Sequence, residues 1–574
     1  GAAVDEGFRR TVARFDGSVA VAASSASRPG ELDLALRGSG QALCVGLAED
    51  AFVVASEPYG LVEVTDTYLR MEGEAPSGRE GAPGQIVVLG REGAGTIEGI
   101  RRTAYDGTEL PVGGGDLQHA EITTRDIDRG GAAHFLLKEI GEAPRSVRKT
   151  LRGKLEEDHG VLSVRLPEAA LPPPFAEALG AGRISRVIVT GQGTAAVAGQ
   201  AVAGFFEEAF GPSLASVRAM PATELSGFGL ADDMSDTLVV AISQSGTTTD
   251  TNRTVDLARG RGASVVAIVN RRNSDLVEKS AGVLYTSDGR DVEMAVPSTK
   301  AFYAQVTAGA LLAWGFAAAA GVADRHRAAE VLDGLRRLPE AMERVLAGGD
   351  RIAAAAARQA PPRRYWAVVG NGPNKVAAAE LRIKLSELCY KAIACDATED
   401  KKHIDLSSEP MILVCAAGLS GANADDVAKE VAIFRAHKAA PVVIATEGES
   451  RFEAAVELLE VPAVHPELDF VLTAMAGHLF GYEAAVAIDA QARFLREIRG
   501  TVETAAAAGH DPHDLYRRVV ADVTPLADRF FAELRAGAFD GHLEASTAVR
   551  LASLLRYARG TVPLDAYELE YGKV

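Results

Sequence analysis

Two hydrophobic patterns divide the chain. From about position 183 onward, continuous apolar runs alternate with helix-length segments; the runs include RVIVTG, LVVAIS, VVAIVN, WAVVG, MILVC and PVVIAT. Runs that are apolar throughout predict parallel strands buried on both faces, with amphipathic helices as the crossovers between them. Residues 1–75 follow another rule. VARFDGSVAVAAS, LDLALRG, QALCVGLAEDAFVVAS and TDTYLRMEGE are short alternating segments bounded by Gly, Asp or Pro, the pattern of antiparallel strands. Residues 76–120 are rich in Gly and Pro and read as connecting chain, and 134–154 read as helix, with Pro144 marking the entry to a second turn. Beyond about 505 the pattern is helical again, with Leu543, Leu551, Leu554 and Leu555 at compatible spacing.

The parallel-strand region repeats itself. Gly191 and Gly193 close one apolar run, and Gly370 and Gly372 close its counterpart. Ser245-Gly246 follows LVVAISQ as Ser420-Gly421 follows MILVCAAGL, and VVAIVN at 265–270 pairs with PVVIAT at 441–446. The simplest reading is two doubly wound α/β domains in tandem, 183–345 and 362–502. One segment between the repeats, Ala301–Ala323, carries no charge over a length able to cross a bilayer. Gln305, Thr307, Gly309, Gly315 and Gly321 interrupt it and alanine dominates the rest, which predicts a buried helix instead.

Composition narrows the partners. At roughly 150 residues per domain, 574 residues imply three or four domains with proper cores. A net charge of −18 repels nucleic acids and acidic lipid surfaces, yet leaves a local pocket free to take a small anion. The four cysteines, Cys44, Cys389, Cys395 and Cys415, include no CxxC pair, and GAAVDEGFRR lacks the features of a secretion signal. A reducing, cytoplasmic setting is the expectation.

The candidate chemistry sits at strand ends. Ser243-Gln244-Ser245-Gly246-Thr247-Thr248-Thr249 follows the strand LVVAI and opens a helix. A loop there lies at the carboxyl edge of the sheet and beside the positive end of a helix. One hydroxyl residue suffices for a helix cap. This loop has five, with no carboxylate before Asp250, so it suits a phosphate; it is no nucleotide P-loop, because G-x-x-x-x-G-K-[ST] is absent. Gly191-Gln192-Gly193-Thr194 is a loose dinucleotide pattern without the acidic residue expected on the next strand, and reads instead as a close-approach loop. Lys384 and Glu387 share a helix face, the ordinary arrangement of a solvated ion pair. His403 lies in an irregular polar stretch and by residue type is eligible to carry protons.

The strings AISQSGTTTDT, PSTKAF (297–302), the GNG loop and KLSELCY resemble the paired sugar isomerase (SIS) domains of the glutamine–fructose-6-phosphate aminotransferase family. Residues 122–154 are similar to that family's interdomain linker, and 7–74 to the second half of its glutaminase domain. The resemblance implies an α/β fold: two tandem doubly wound parallel-sheet SIS domains, preceded by part of an antiparallel, Ntn-type glutaminase-like α+β domain. The implied boundaries are 1–120 for the partial glutaminase-like domain, 121–182 for linker and helices, 183–345 and 362–502 for the SIS domains, and 503–574 for a helical extension. Phosphate contacts are implied at Ser243, Gln244, Ser245 and Thr248, and sugar contacts at Thr194 and Ser298. Lys384 and Glu387 match the family's lysine and glutamate, Tyr390 the tyrosine after them, and His403 its ring-opening histidine.

The implied activity is amino-sugar synthesis, from fructose 6-phosphate and glutamine or ammonia to glucosamine 6-phosphate, by a cytoplasmic homodimer with no cofactor, no metal, and no nucleic acid or membrane partner. Several departures stand against the family pattern. Asp400-Lys401-Lys402-His403-Ile404-Asp405 replaces E-L-K-H-G-P, Ala195 replaces a substrate-binding serine, and two extra residues precede the STK motif. The segment 503–559 is additional to the family core, and Lys573 stands nearest to the family's tail lysine. Gly1 occupies the start where the family has its cysteine nucleophile, so the expectation is a fragment of a longer product or an enzyme using free ammonia or none. Rival readings are an SIS-type phosphosugar isomerase or amino-sugar phosphate deaminase with another substrate, and a non-catalytic sugar-phosphate sensor.

Overall fold

A computed structural model describes residues 4–38, 42–74, 83–120, 122–404, 406–508 and 511–572; Lys573 lies outside the described residues. The chain forms two compact units, Gly1–Pro339 and Glu340–Val574. The first unit begins with two antiparallel four-stranded sheets. One has the order Val19–Ser25, Arg28–Arg37, Gln85–Gly90, Ile100–Ala104, and the other Phe52–Ala55, Cys44–Leu47, Thr67–Arg70, Leu117–His119. Leu34 and Leu36 alternate on one face of their strand and meet Val45, Leu69, Val87 and Leu89 in a shared core. The stretch 76–120, Gly/Pro-rich in sequence, thus supplies three strands rather than connecting chain alone. Gly84, Gly93, Gly95 and Gly107 lie at positive φ outside these strands, while QIVVLG pairs in register with ELDLAL.

Helix Phe135–Leu151 follows and passes through Pro144 without ending. Proline removes one N–H and crowds the preceding turn. Burial of Leu136, Ile140, Ala143 and Val147 on one face holds the helix on both sides of it, correcting the sequence reading of a second turn at that point.

The parallel sheet of the first unit has the order Ser216–Pro221, Arg186–Gly191, Thr237–Ser243, Ser264–Val269, Gly282–Tyr285. In sequence terms this is 2-1-3-4-5, and the switch point lies between the first and third strands, where such folds open a ligand crevice. All of Thr237–Ser243 is buried, as a strand covered on both faces must be. Each Val or Ile side chain taken from water there contributes about 1.5–3 kcal/mol. Helix Lys300–Ala319 covers this region. It is long and apolar enough to cross a membrane, but 94% of its most apolar window is buried inside the protein, as expected of a core helix. Gly309 is required at its crossing with helix Thr194–Phe210, because a β-carbon there would collide with Val202.

The second unit repeats the topology. Its parallel sheet runs Ile393–Asp396, Trp366–Gly370, Met411–Cys415, Ala440–Thr446, Glu457–Val461, again 2-1-3-4-5. Val369, Ile412, Val414, Val431, Phe434 and Val443 form its core. Helix Asp469–Ala507 then runs through position 502, and the helices Pro512–Arg535, Ala545–Ala558 and Asp565–Tyr571 follow. Phe494, Val523, Phe530, Phe539 and Leu555 give this carboxyl-terminal group a core of its own. It docks where the Lys391 ammonium donates to the Gly541 carbonyl at 2.7 Å and the Arg363 carbonyl at 3.0 Å. All four cysteines are free.

Candidate active site

The hydroxyl-rich loop of the first unit folds as a cradle because its own side chains close it. Ser243 Oγ accepts from the Gly246 N–H at 2.9 Å and meets Thr248 Oγ1 at 3.2 Å, while Thr247 donates from both N–H (3.2 Å) and hydroxyl (2.9 Å) to Ser245 Oγ. Asn252 donates back to the carbonyls of Gly246 and Thr248 at 3.0 and 3.1 Å, tying the loop to the helix it opens, Thr249–Arg259. Gly246 has φ +69°, and a β-carbon there would collide with the Ser274 side chain, so both conformation and space demand glycine. Thr248, at the N-cap, makes no side-chain capping bond. The first-turn N–H groups, which lack intrahelical acceptors, are left to other partners.

A cavity of about 220 Å³ opens beside this loop, lined by Gln244, Ser245 and Thr247, by Tyr68 and Arg70 of an antiparallel sheet, and by Glu57 just past the end of strand Phe52–Ala55. Gln244 donates through Nε2 to the Asp291 carbonyl at 3.3 Å. Arg70 pairs with Asp275 at 2.6 Å and Arg271 pairs with Glu57, so two of the cavity's cations are already matched.

Thr194 opens its helix behind Gly193, which sits at φ +59° at the end of the first strand. Ser298 donates to Glu293 Oε2 at 2.6 Å, and the other oxygen of Glu293 accepts from the N–H groups of Thr299 (2.8 Å) and Ala301 (3.1 Å). The loop carrying Ser298 is anchored by residues that sequence reasoning missed. Glu139, buried on helix Phe135–Leu151, accepts from Met294 N–H at 2.5 Å and Ala295 N–H at 3.2 Å. Burial, reinforced by Glu293, pushes its carboxyl up to about 7. Glu142 takes the buried Lys300 ammonium at 2.7 Å. Burial disfavours that ammonium, but Asp291 and Glu142 together outweigh it and raise its pKa. Glu139 and Glu142 are three apart on one helix face, a signal that also fits a surface pair, and nothing in the sequence marks it as buried.

In the second unit, helix Asn374–Cys389 carries Glu380, Lys384 and Glu387 on one face. Lys384 Nζ lies 3.0 Å from Glu387 Oε2. The sequence predicts a solvated pair; instead Lys384 is 2% exposed and the Glu387 side chain 41%. An ammonium that reaches a half-open carboxylate from the protein interior is held in place and cannot trade its partner for water. Glu380, not singled out from sequence, sits behind Lys384 at 4.0 Å and faces His478 Nε2 at 3.4 Å. The i, i+4 spacing to Lys384 was a usable signal for Glu380, whereas His478 comes from a distant helix and had none. Tyr390 ends the helix at φ +53° and is almost fully exposed. His403 lies in helix Thr398–Ile404 rather than in irregular chain, is exposed, and its side chain has no hydrogen bond or ion pair among the described residues.

A hydroxyl loop at the switch point of one 2-1-3-4-5 sheet, followed by a second sheet of the same order, defines the class: tandem SIS domains. The SIS domain family matches residues 183–314. The solved C-terminal domain of glucosamine-fructose-6-phosphate aminotransferase from Francisella tularensis superposes with a TM-score of 0.57 at 21% identity, over 63% of this chain and 98% of that one, a likeness of fold. A glutamine–fructose-6-phosphate aminotransferase [isomerizing] of Thermus thermophilus is 30% identical over 452 residues, 77% of this chain and 68% of that protein. Its counterpart in Streptomyces coelicolor is 31% identical over 491 residues, 84% and 74% of the two chains. The chain belongs to the glutamine–fructose-6-phosphate aminotransferase family, a family of transferases.

Proposed function

We propose that this enzyme makes glucosamine 6-phosphate from fructose 6-phosphate and nitrogen supplied by glutamine or ammonia. Ser243, Gln244, Ser245 and Thr248 hold the phosphate at the helix start, and Thr194 and Ser298 hold sugar hydroxyls. His403 moves a proton between ring oxygens to open the sugar. Ammonia adds to the C2 ketone and water leaves, giving an imine. The Glu387 carboxylate takes a proton from C1 and returns it to C2, while the O1 proton passes to the nitrogen, so the imine becomes an amine and C1 an aldehyde. Lys384 stabilises the negative charge that develops between the two steps. The enzyme acts as a homodimer.

The observation that carries this reading is the Lys384–Glu387 pair, with its ammonium buried and its carboxylate half open. A sugar-phosphate sensor has no use for a positioned proton carrier. The test is product analysis by carbon NMR after incubation with fructose 6-phosphate plus ammonium, with fructose 6-phosphate plus glutamine, and with glucosamine 6-phosphate alone. Glucosamine 6-phosphate in the first or second mixture supports the reading. Aldose without nitrogen in the first two mixtures points to a phosphosugar isomerase, and ammonia release from the third alone to a deaminase; either result overturns it.

A further inference from the structure

A hydroxyl carries one proton and two lone pairs, so what it offers a ligand depends on which of them the protein has already engaged. Counted this way, the hydroxyls of the first unit fall into two kinds. In the cradle, Ser245 Oγ accepts from Thr247 twice, from its N–H at 3.2 Å and its hydroxyl at 2.9 Å, which fills both lone pairs. Its own O–H donates to nothing among the described residues. Ser243 and Thr248 share one bond at 3.2 Å, so whichever of them donates, the proton of the other is left over. The cradle therefore faces a ligand with protons, as an anion requires.

Ser298 is the reverse. Its hydroxyl donates to Glu293 Oε2 at 2.6 Å, the short distance of an O–H bonded to a carboxylate. Glu293 is held in that position, because its other oxygen, Oε1, accepts from the Thr299 and Ala301 N–H groups at 2.8 and 3.1 Å and so caps helix Lys300–Ala319 from outside. The neighbouring backbone is pinned as well, Met294 and Ala295 by Glu139, and the Asp291 carbonyl by Gln244 Nε2 at 3.3 Å. Between these anchors the loop is open, with Val296 93% exposed. Its one proton committed to Glu293, Ser298 meets a ligand with lone pairs alone.

We propose that Glu293 is a specificity-determining residue acting through Ser298: by taking the serine proton it makes Ser298 an acceptor, so the site demands a hydrogen-bond donor on the sugar at that point and rejects a phosphate, carboxylate or carbonyl there. The two ends of the substrate are told apart by polarity, protons for the phosphate and lone pairs for the sugar. The proposal rests on the reading that Ser298 meets a sugar hydroxyl. It also says what Glu293→Gln does. Only the amide oxygen of glutamine can accept from Thr299 and Ala301, which turns the NH₂ group toward Ser298. Ser298 then accepts from that group and its own proton is released to the ligand, so its polarity reverses with little change of shape.

The test is isothermal titration of the full chain with fructose 6-phosphate and with its analogues that carry fluorine in place of the hydroxyl at C1, C3 or C4. Fluorine nearly keeps the size of the hydroxyl and cannot donate. In the parent, one of the three analogues is expected to bind about tenfold or more weaker than fructose 6-phosphate, the effect of an acceptor left unpaired. In Glu293→Gln the same analogue is expected to bind within about twofold of fructose 6-phosphate, because Ser298 no longer asks for a donor. Ser298→Ala is expected to lose the discrimination too, while inorganic phosphate binds all three chains alike. No discriminated analogue in the parent, or equal discrimination in the parent and either variant, overturns the proposal. A second readout needs no substrate: neutron diffraction from deuterium-exchanged crystals is expected to place the Ser298 deuteron on the line to Glu293 Oε2 in the parent and away from residue 293 in Glu293→Gln. Should Glu293→Gln fail to fold, the parent neutron map and the Ser298→Ala titration carry the test. A parent chain that binds no fructose 6-phosphate defeats the functional reading alone; the neutron map then decides, and a Ser298 deuteron pointing away from Glu293 overturns the assignment.

Discussion

The two parallel sheets share one strand order and one switch point, yet the loops at that point differ in chemistry. In the first, Ser243–Thr248 presents hydroxyls and a helix start with no carboxylate among them. In the second, Ala416-Ala417-Gly418-Leu419-Ser420-Gly421 has a single hydroxyl, and the Asp469 carboxylate closes against it. A β-carbon on Gly418 would lie 3.0 Å from Asp469 Cβ and 3.2 Å from its Oδ2. Asp469 is anchored there by the N–H groups of Val464 at 2.8 Å and His465 at 3.1 Å. A fixed negative charge beside the loop repels an anion, so the second copy has lost the cradle. The first crossover helices are also opposite in character. Thr194–Phe210 carries no charge before Glu207, whereas Asn374–Cys389 carries Glu380, Lys384 and Glu387. On the proposed function, a duplicated scaffold serves anion binding in one copy and proton chemistry in the other, because the fold needs only the strands and their glycines and leaves the loops free to diverge.

The sharpest way to break this division is Glu387→Gln. Turnover is expected to fall by about 10²- to 10⁴-fold, while calorimetric affinity for fructose 6-phosphate stays within about threefold; full turnover with tight binding would remove Glu387 from the mechanism. Next comes the matched pair of glycines. Gly246→Ala forces a side chain onto Ser274 at a positive φ, and is expected to weaken sugar-phosphate affinity by at least about tenfold, the equivalent of 1.4 kcal/mol. Gly421→Ala, at φ +54° with open space around it, is expected to lower the melting temperature slightly and leave affinity unchanged. Equal losses of affinity in both variants would dissolve the distinction between the copies.

The smallest effect is expected from the anchor of the Ser298 loop. The Glu139 carboxyl stands at about 7 in the folded chain against an ordinary 4.5. Below 4.5 both folded and unfolded chains hold the proton. Between 4.5 and 7 the unfolded chain ionises first, so stability declines as pH rises through that window and levels off above it. The span of the shift corresponds to at most ~3 kcal/mol. Melting curves between pH 5 and 8 are expected to show the decline in the parent and a flatter profile in Glu139→Gln. An identical slope in both would assign the pH dependence elsewhere.

Particular residues show how much of this was legible. LVVAIS and MILVC announce parallel strands because a strand covered on both faces tolerates no polar alternation, and the hydroxyl residues of 243–249 announce a loop that opens a helix. The register of the antiparallel sheets was less visible, since the glycines and prolines of 76–120 mask the strands between them. Pro144 signals an interruption that burial of the residues around it overrides. The burial of Lys384 was not legible at all: three-residue spacing reads the same on a wet face and a dry one, and the difference comes from helix Asp469–Ala507 lying across it.

By itself, then, the chain dictated what depends on near neighbours: strand and helix type, the repeat, the loop that opens a helix with hydroxyls, and the spacing that sets Lys384 beside Glu387. Tertiary structure alone decided which charges are buried and what stands behind them. Glu139 reaches the loop of Ser298 and Glu380 meets His478 only after distant helices pack. Electrostatic strength depends on the water that packing removes, a quantity no local pattern of residues contains.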